Sequence, residues 1–116
     1  HVTFVEYYNE ILTVLRKNIL NLNYENDSKI IEQDIINSLD FKIFKSQFDI
    51  IFLDPPYKIK KLTEILNNIF SFKLLKKNGI IIIHRHKKEI DEFPIKFKIF
   101  EEKTYGISKI FFEKFF

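Results

Sequence analysis

The segment FDIIFLDPPYK, Phe48 to Lys58, constrains the chain more tightly than any other. FDIIFLD predicts a strand, and because it is apolar at both alternate sets of positions it reads as a parallel strand covered on both faces. Two consecutive prolines then remove two backbone donors and fix two φ angles, so regular structure has to stop at Asp54. The corner that follows is stiff. It holds one carboxylate, the carbonyls of Pro55 and Pro56, and the ring of Tyr57. A simple turn requires neither the second proline nor the aromatic ring, so function is the better account of Asp54.

The rest of the chain sets this corner in an alternation of strand and helix. Val2 to Glu6 is a short β-rich run, and from Tyr7 onward Ile11, Leu12, Leu15, Ile19 and Leu22 recur at helical spacing. Polar residues from Asn23 to Ser28 turn the chain. KIIEQD then predicts a second strand up to Asp34, and a shorter helix is expected from there to about Phe44. After the third strand, Leu62, Ile65, Leu66 and Ile69 form another helical stripe, and Gly79 is expected to precede a fourth strand, Ile80 to Ile83. The tail, FKIFEEKTYGISKIFFEKFF, predicts an antiparallel hairpin turning at Tyr105-Gly106, with Phe111, Phe112 and Phe115 as packing residues. This order predicts an α/β architecture: an open, mostly parallel sheet with helices on both sides, in a single domain spanning residues 1–116.

Glu6, Asp34 and Asp54 each end an apolar strand. In a parallel sheet with right-handed crossovers, strand carboxyl ends share one edge, where such sheets bind ligands. Ionised carboxylates only accept hydrogen bonds, so a ligand there should offer hydroxyls, amino groups or positive charge. Plainer readings stand beside this one. Asp34 could be the N-cap of the following helix, and Glu6 a solvated strand end.

Composition bounds the rest. At 116 residues, 46% hydrophobic, the chain can bury one modest core. No cysteine is present, which excludes disulfides and thiolate metal sites and makes a cytoplasmic location the expectation. No apolar run is long enough to cross a bilayer as a helix. Nineteen basic residues against sixteen acidic ones give a net charge of +3, a weak pull toward a polyanionic partner.

Taken together, VTFVEYYNEILTVLRKN, IIEQD, FDIIFLDPPY, NGIIIIHRHKKE and TYGISKIFF resemble, in order and over essentially the whole chain, the RsmD family of bacterial 16S rRNA guanine-N2 methyltransferases. DPPY alone is shared with DNA adenine methyltransferases; the Val-Glu entry to the first helix and the Tyr-Gly hairpin favour the RNA family. The resemblance implies a Rossmann-like fold dependent on S-adenosylmethionine. It implies that Glu6 accepts the ribose hydroxyls of that cofactor, and that Asp34 accepts the adenine amino group with Ile35 against the ring. It further implies that Asp54, next to the cofactor, and Pro55 hold the exocyclic amine of a guanine in the corner stiffened by Pro56, while Tyr57 stacks on the base. Lys58, Lys60, Lys61, Arg85, Lys87 and Lys88 then become candidate phosphate contacts on 16S rRNA or a small-subunit particle, with a solvated lysine face as the plain alternative.

Two departures from the family pattern carry expectations of their own. The family's first strand and glycine-rich loop have no counterpart, so the chain reads as an N-terminally truncated fragment in which no strand fills the place between Val2–Glu6 and the third strand. His84 stands where the family commonly has an acid. His84 and His86 could share a strand face, yet two imidazoles without a third ligand make a weak metal site, and no metal is expected. The rival functions are a DNA adenine-N6 methyltransferase and a non-catalytic nucleic-acid-binding α/β module.

Overall fold

The computed structural model describes residues 1–56 and 59–115; Tyr57, Lys58 and Phe116 lie outside the described residues. The chain divides into two compact units, His1–Asp40 and Phe41–Phe116.

In the first unit, β1 (Val2–Glu6) leads into α1 (Asn9–Asn21) and returns as β2 (Ser28–Glu32). The two strands run parallel, in register from Val2 opposite Ser28 to Glu6 opposite Glu32. Of the predicted helical stripe, Leu12 is buried and Leu15 and Ile19 are half-buried, whereas Ile11 and Leu22 are exposed. An ion pair between Arg16 and Glu32 joins the helix to β2. The helix ends where Asn23 adopts a left-handed φ of 56°. The amides of Asn23 and Tyr24 then reach back to Leu20 and Ile19, closing carbonyls that the last turn leaves unpaired.

The second unit contains β3 (Phe48–Leu53), α2 (Leu62–Ser71), β4 (Leu75–His86), β5 (Phe97–Tyr105) and β6 (Ser108–Phe115). Its sheet has the order β3-β4-β6-β5, with β3 and β4 parallel and the other two pairings antiparallel. Leu62, Ile65, Leu66 and Ile69 of α2 are all buried, each worth about 1.5 to 3 kcal/mol. Phe70 of α2 meets Phe115 of β6 edge to face at 5.2 Å, which puts the helix on the sheet face formed by Ile81, Ile83, Phe111 and Glu113. The opposite face carries Ile82, His84, His86 and Phe112 and is only half-buried. Gly106, at φ +57°, opens the two-residue hairpin loop as a type II′ turn requires.

The architecture is therefore the expected α/β, Rossmann-like one. The described strands form two separate sheets, β1-β2 and β3-β4-β6-β5. Four details differ from expectation. The helix anticipated up to about Phe44 does not form: Asp34 closes one turn, accepting the amides of Ser38 and Leu39 on its carbonyl, and only a short 3-10 turn follows at Phe41–Ile43. β2 stops at Glu32, short of Asp34. β4 starts at Leu75, so Gly79 lies inside it, at an irregularity in the pairing with β3; a Cβ at Gly79 would stand 2.9 Å from the Asp49 carbonyl oxygen. β3 is an edge strand with Ile50 and Phe52 58% and 60% exposed, and is thus not covered on both faces.

Candidate active site

Asp54 follows directly on β3, at the carboxyl end of the sheet. Because Leu53 lies opposite Ile83 in the parallel register, the next step brings Asp54 level with His84. The Asp54 Oδ1 to His84 Nδ1 distance is 2.8 Å. On its other side the imidazole Nε2 lies 2.9 Å from Ser108 Oγ, at the start of β6. With Nδ1 protonated, the ring donates to the carboxylate and accepts from the hydroxyl, and the chain of three groups is satisfied throughout. Three strands thus contribute one side chain each. Asp54 is half-exposed and His84 largely covered, so the carboxylate opens to solvent while its orienting ring does not.

Beneath the corner, Arg85 points to the opposite face of β4 and is fully buried. Its Nε and Nη2 donate to the two carboxylate oxygens of Asp91, each at 2.9 Å. Its Nη1 donates to the Pro56 carbonyl at 3.1 Å, and Nη2 also reaches the Ile59 carbonyl at 3.3 Å. The Ile59 amide closes the turn onto the same Pro56 oxygen at 3.0 Å. Arg85 was expected to grip phosphate; its planar fork is instead spent inside the protein, fastening the proline corner to the sheet. Pro55 is buried and Pro56 exposed.

The same face holds a second buried ionisable side chain, Glu113, whose two carboxylate oxygens have no hydrogen-bond partner among the described residues. Burial, with Asp91 nearby, pushes its carboxyl up to about 7.

The first unit places Glu6 and Asp34 at the shared carboxyl end of β1 and β2. Glu6 Oε1 accepts the amides of Tyr7 (2.8 Å) and Tyr8 (3.0 Å) just before α1 begins. Asp34 Oδ1 accepts the Ile36 amide at 2.8 Å and Oδ2 the Asn37 side-chain amide at 2.9 Å, so it shapes a turn and caps no helix. Ile35 beside it is half-buried. Lys60, Lys61, Lys87 and Lys88 are exposed, while Tyr57 and Lys58 fall outside the described residues. His86 shares the face of His84, and its Nδ1 accepts the Lys88 amide at 3.1 Å. No cluster of three or more potential metal ligands occurs among the described residues, and no helix among them is long and apolar enough to cross a membrane.

Ser108 and Asp91 are the residues that sequence reasoning missed, and His84 was singled out there without its contact to Asp54. The only signal was positional: an ionisable side chain at the end of β4, one strand over from Asp54.

A family model described as conserved hypothetical protein 95 matches residues 1–114. The chain is 32% identical over 101 residues to ribosomal RNA small subunit methyltransferase D of Buchnera aphidicola, covering 87% of this chain and 52% of the relative. It is 27% identical over 107 residues to the protein of that name from Haemophilus influenzae, covering 91% of this chain and 55% of the relative. The chain therefore spans about half the length of these curated relatives. Among solved structures, a conserved hypothetical protein from Streptococcus pyogenes superposes with a TM-score of 0.84 at 23% identity, over 96% of this chain and 69% of that one, which shows the shared fold.

Proposed function

Because the chain belongs to this family, that of the RsmD-like proteins, we propose that it serves methyl transfer from S-adenosylmethionine to the exocyclic N2 amine of a guanine in 16S rRNA. The observation that carries the reading is Asp54: a carboxylate at a strand carboxyl end, on a proline corner fastened from below by Arg85 and aimed from the side by His84. An aryl amine is a poor nucleophile because its lone pair is delocalised into the ring. A fixed carboxylate that accepts one of its hydrogens orients the nitrogen and offsets the positive charge that develops on it. Holding the reactants in line contributes about 7 to 11 kcal/mol in the best intramolecular cases, which is why a rigid corner suits the task.

The residues present fit the cofactor's chemistry. S-adenosylmethionine, when bound, supplies a methyl group already activated by its sulfonium. Glu6 would hold the ribose hydroxyls; with Oε1 engaged by two backbone amides, that contact falls mainly to Oε2. Asp34 would hold the adenine amino group, a donor that a carboxylate can accept, and Ile35 would pack on the ring. Pro55 would supply the second acceptor for the guanine amine, and Tyr57 a stacking surface. Lys58, Lys60, Lys61 and Lys87 would meet rRNA phosphates in a cytoplasmic enzyme.

The test uses the complete gene product with methyl-labelled cofactor. Label entering 16S rRNA at guanine N2, and not duplex DNA, is the expected result. Label entering adenine of DNA instead would replace the proposal with its rival, and no cofactor binding would favour a non-catalytic module.

A further inference from the structure

We propose that His84 is a positioning residue for the transfer reaction, holding Asp54 through Nδ1 while Ser108 holds the ring through Nε2. The proposal rests on the methyltransferase reading above. Its ground is the 2.8 Å and 2.9 Å contacts on the two ring nitrogens, made by side chains 30 and 24 residues away in sequence. A carboxylate on a loop can rotate about its Cβ–Cγ bond, presenting either oxygen in any direction. Engaging Oδ1 with an imidazole N–H removes that freedom and assigns Oδ2 to the substrate. The amine nitrogen then forms its bond to the methyl carbon, the carbon–sulfur bond breaks with its electron pair going to sulfur, and the nitrogen sheds one proton to Oδ2. His84 itself touches neither substrate nor cofactor in this scheme.

The same geometry makes the site sensitive to the charge of the ring. Neutral His84 leaves Asp54 its full negative charge. A second proton at Nε2 would turn Ser108 from donor to acceptor and place a cation 2.8 Å from the carboxylate, lowering its power to accept a proton. Among the described residues of this unit, few other charged groups share this sheet face. β3 contributes Asp54 and β4 contributes His86. β6 contributes Ser108, Ile110 and Phe112, and β5, one strand further out, Tyr105 with the paired Lys103 and Glu101.

The experiment compares His84→Leu, His84→Asn and Ser108→Ala in the complete gene product. His84→Leu should lower kcat about 10- to 100-fold, the size of effect seen when an orienting partner is removed, with KM for the methyl donor little changed. His84→Asn puts an amide N–H where Nδ1 stood and should recover most of that rate. Ser108→Ala should fall between the wild type and His84→Leu. Equal rates for His84→Leu and wild type, or an Asn variant as slow as Leu, would overturn the proposal and leave the methyltransferase reading standing. A wild type that transfers no methyl group overturns both. Should the variants fail to fold, 15N ring signals of wild-type His84 decide: the Nδ1–H tautomer, perturbed by Asp54→Asn, supports the arrangement, and the Nε2–H tautomer contradicts it.

Discussion

Asp34 and Asp54 are both acids that follow a parallel strand, yet the structure uses them in opposite ways. Asp34 is satisfied by its own neighbours, two and three residues further on, and its carboxylate organises the loop that carries it. Asp54 is held by a side chain 30 residues away, and the loop that carries it is organised by another, Arg85, 29 residues from Pro56. Glu6 behaves like Asp34, with its partners at the next two residues. A carboxylate that builds its own loop is sturdy but partly committed. One oriented from outside keeps an oxygen for other work, at the cost of depending on distant strands.

The largest expected effect attacks the outward-facing acid itself. Asp54→Ala should reduce methyl transfer by about 10²- to 10⁴-fold, as losing a positioned proton acceptor does, while equilibrium binding of S-adenosylmethionine stays within a few-fold. A variant that still turns over at a tenth of the wild-type rate would put Asp54 in the same class as Asp34.

Next comes the support. Arg85→Leu strips Asp91, itself almost fully buried, and two loop carbonyls of their donor. A loss of about 3 to 5 kcal/mol in denaturant unfolding is expected, because an unpaired charge then remains in a buried place. Arg85→Lys should rescue little, since a point charge cannot serve a carboxylate and two carbonyls at once. Full rescue by lysine would mean that charge alone, and not the fork, holds the corner.

The comparison also marks what the sequence could disclose. β1, β3, α2 and the terminal hairpin were legible because apolar spacing and turn residues are local signals, and the α/β order followed from them. The stretch after β2 misled, since Ile35, Ile36 and Leu39 have helical spacing. There Asp34, Asn37 and Ser38 offer the backbone competing hydrogen bonds, which close a single turn and stop. The fourth strand, expected from Ile80, begins instead at Leu75, opposite Phe48, with Lys76 to Gly79 bulged between the two paired stretches. For the candidate site, Asp54 was singled out by its prolines. Its connection to His84 and Ser108, and the burial of Arg85, depend on a register between strands that no local pattern encodes.

Arg85 and Glu113 repeat the contrast on the buried face: both are fully covered, one richly bonded and the other without a hydrogen-bond partner among the described residues. Burial raises the Glu113 carboxyl to about 7, so the folded state holds a proton that the unfolded chain releases from about pH 4.5 upward. Stability should therefore be greatest below that range, decline as pH rises through it, and level off above pH 7. The total loss is at most about 3 kcal/mol. Glu113→Gln should flatten this dependence and leave the protein more stable than wild type at pH 8. A wild-type stability that does not fall between pH 5 and 8 would show that Glu113 is compensated in solution.

The smallest effect separates the two uses of Asp34. Asparagine keeps an oxygen for the Ile36 amide and differs from aspartate mainly in charge and in one acceptor replaced by a donor. If Asp34 only shapes its turn, Asp34→Asn should change unfolding free energy by less than about 1 kcal/mol and leave cofactor binding alone. If Asp34 also receives an adenine amino group, the amide can still turn one oxygen toward the turn or toward the ligand, but not both. Affinity for S-adenosylmethionine should then fall about 10-fold, the worth of one such hydrogen bond, with stability unmoved. Titration calorimetry beside thermal unfolding of the same variant distinguishes the outcomes. A fall in affinity that only tracks a fall in stability would return Asp34 to its loop and leave Asp54 as the one strand-end acid aimed outward.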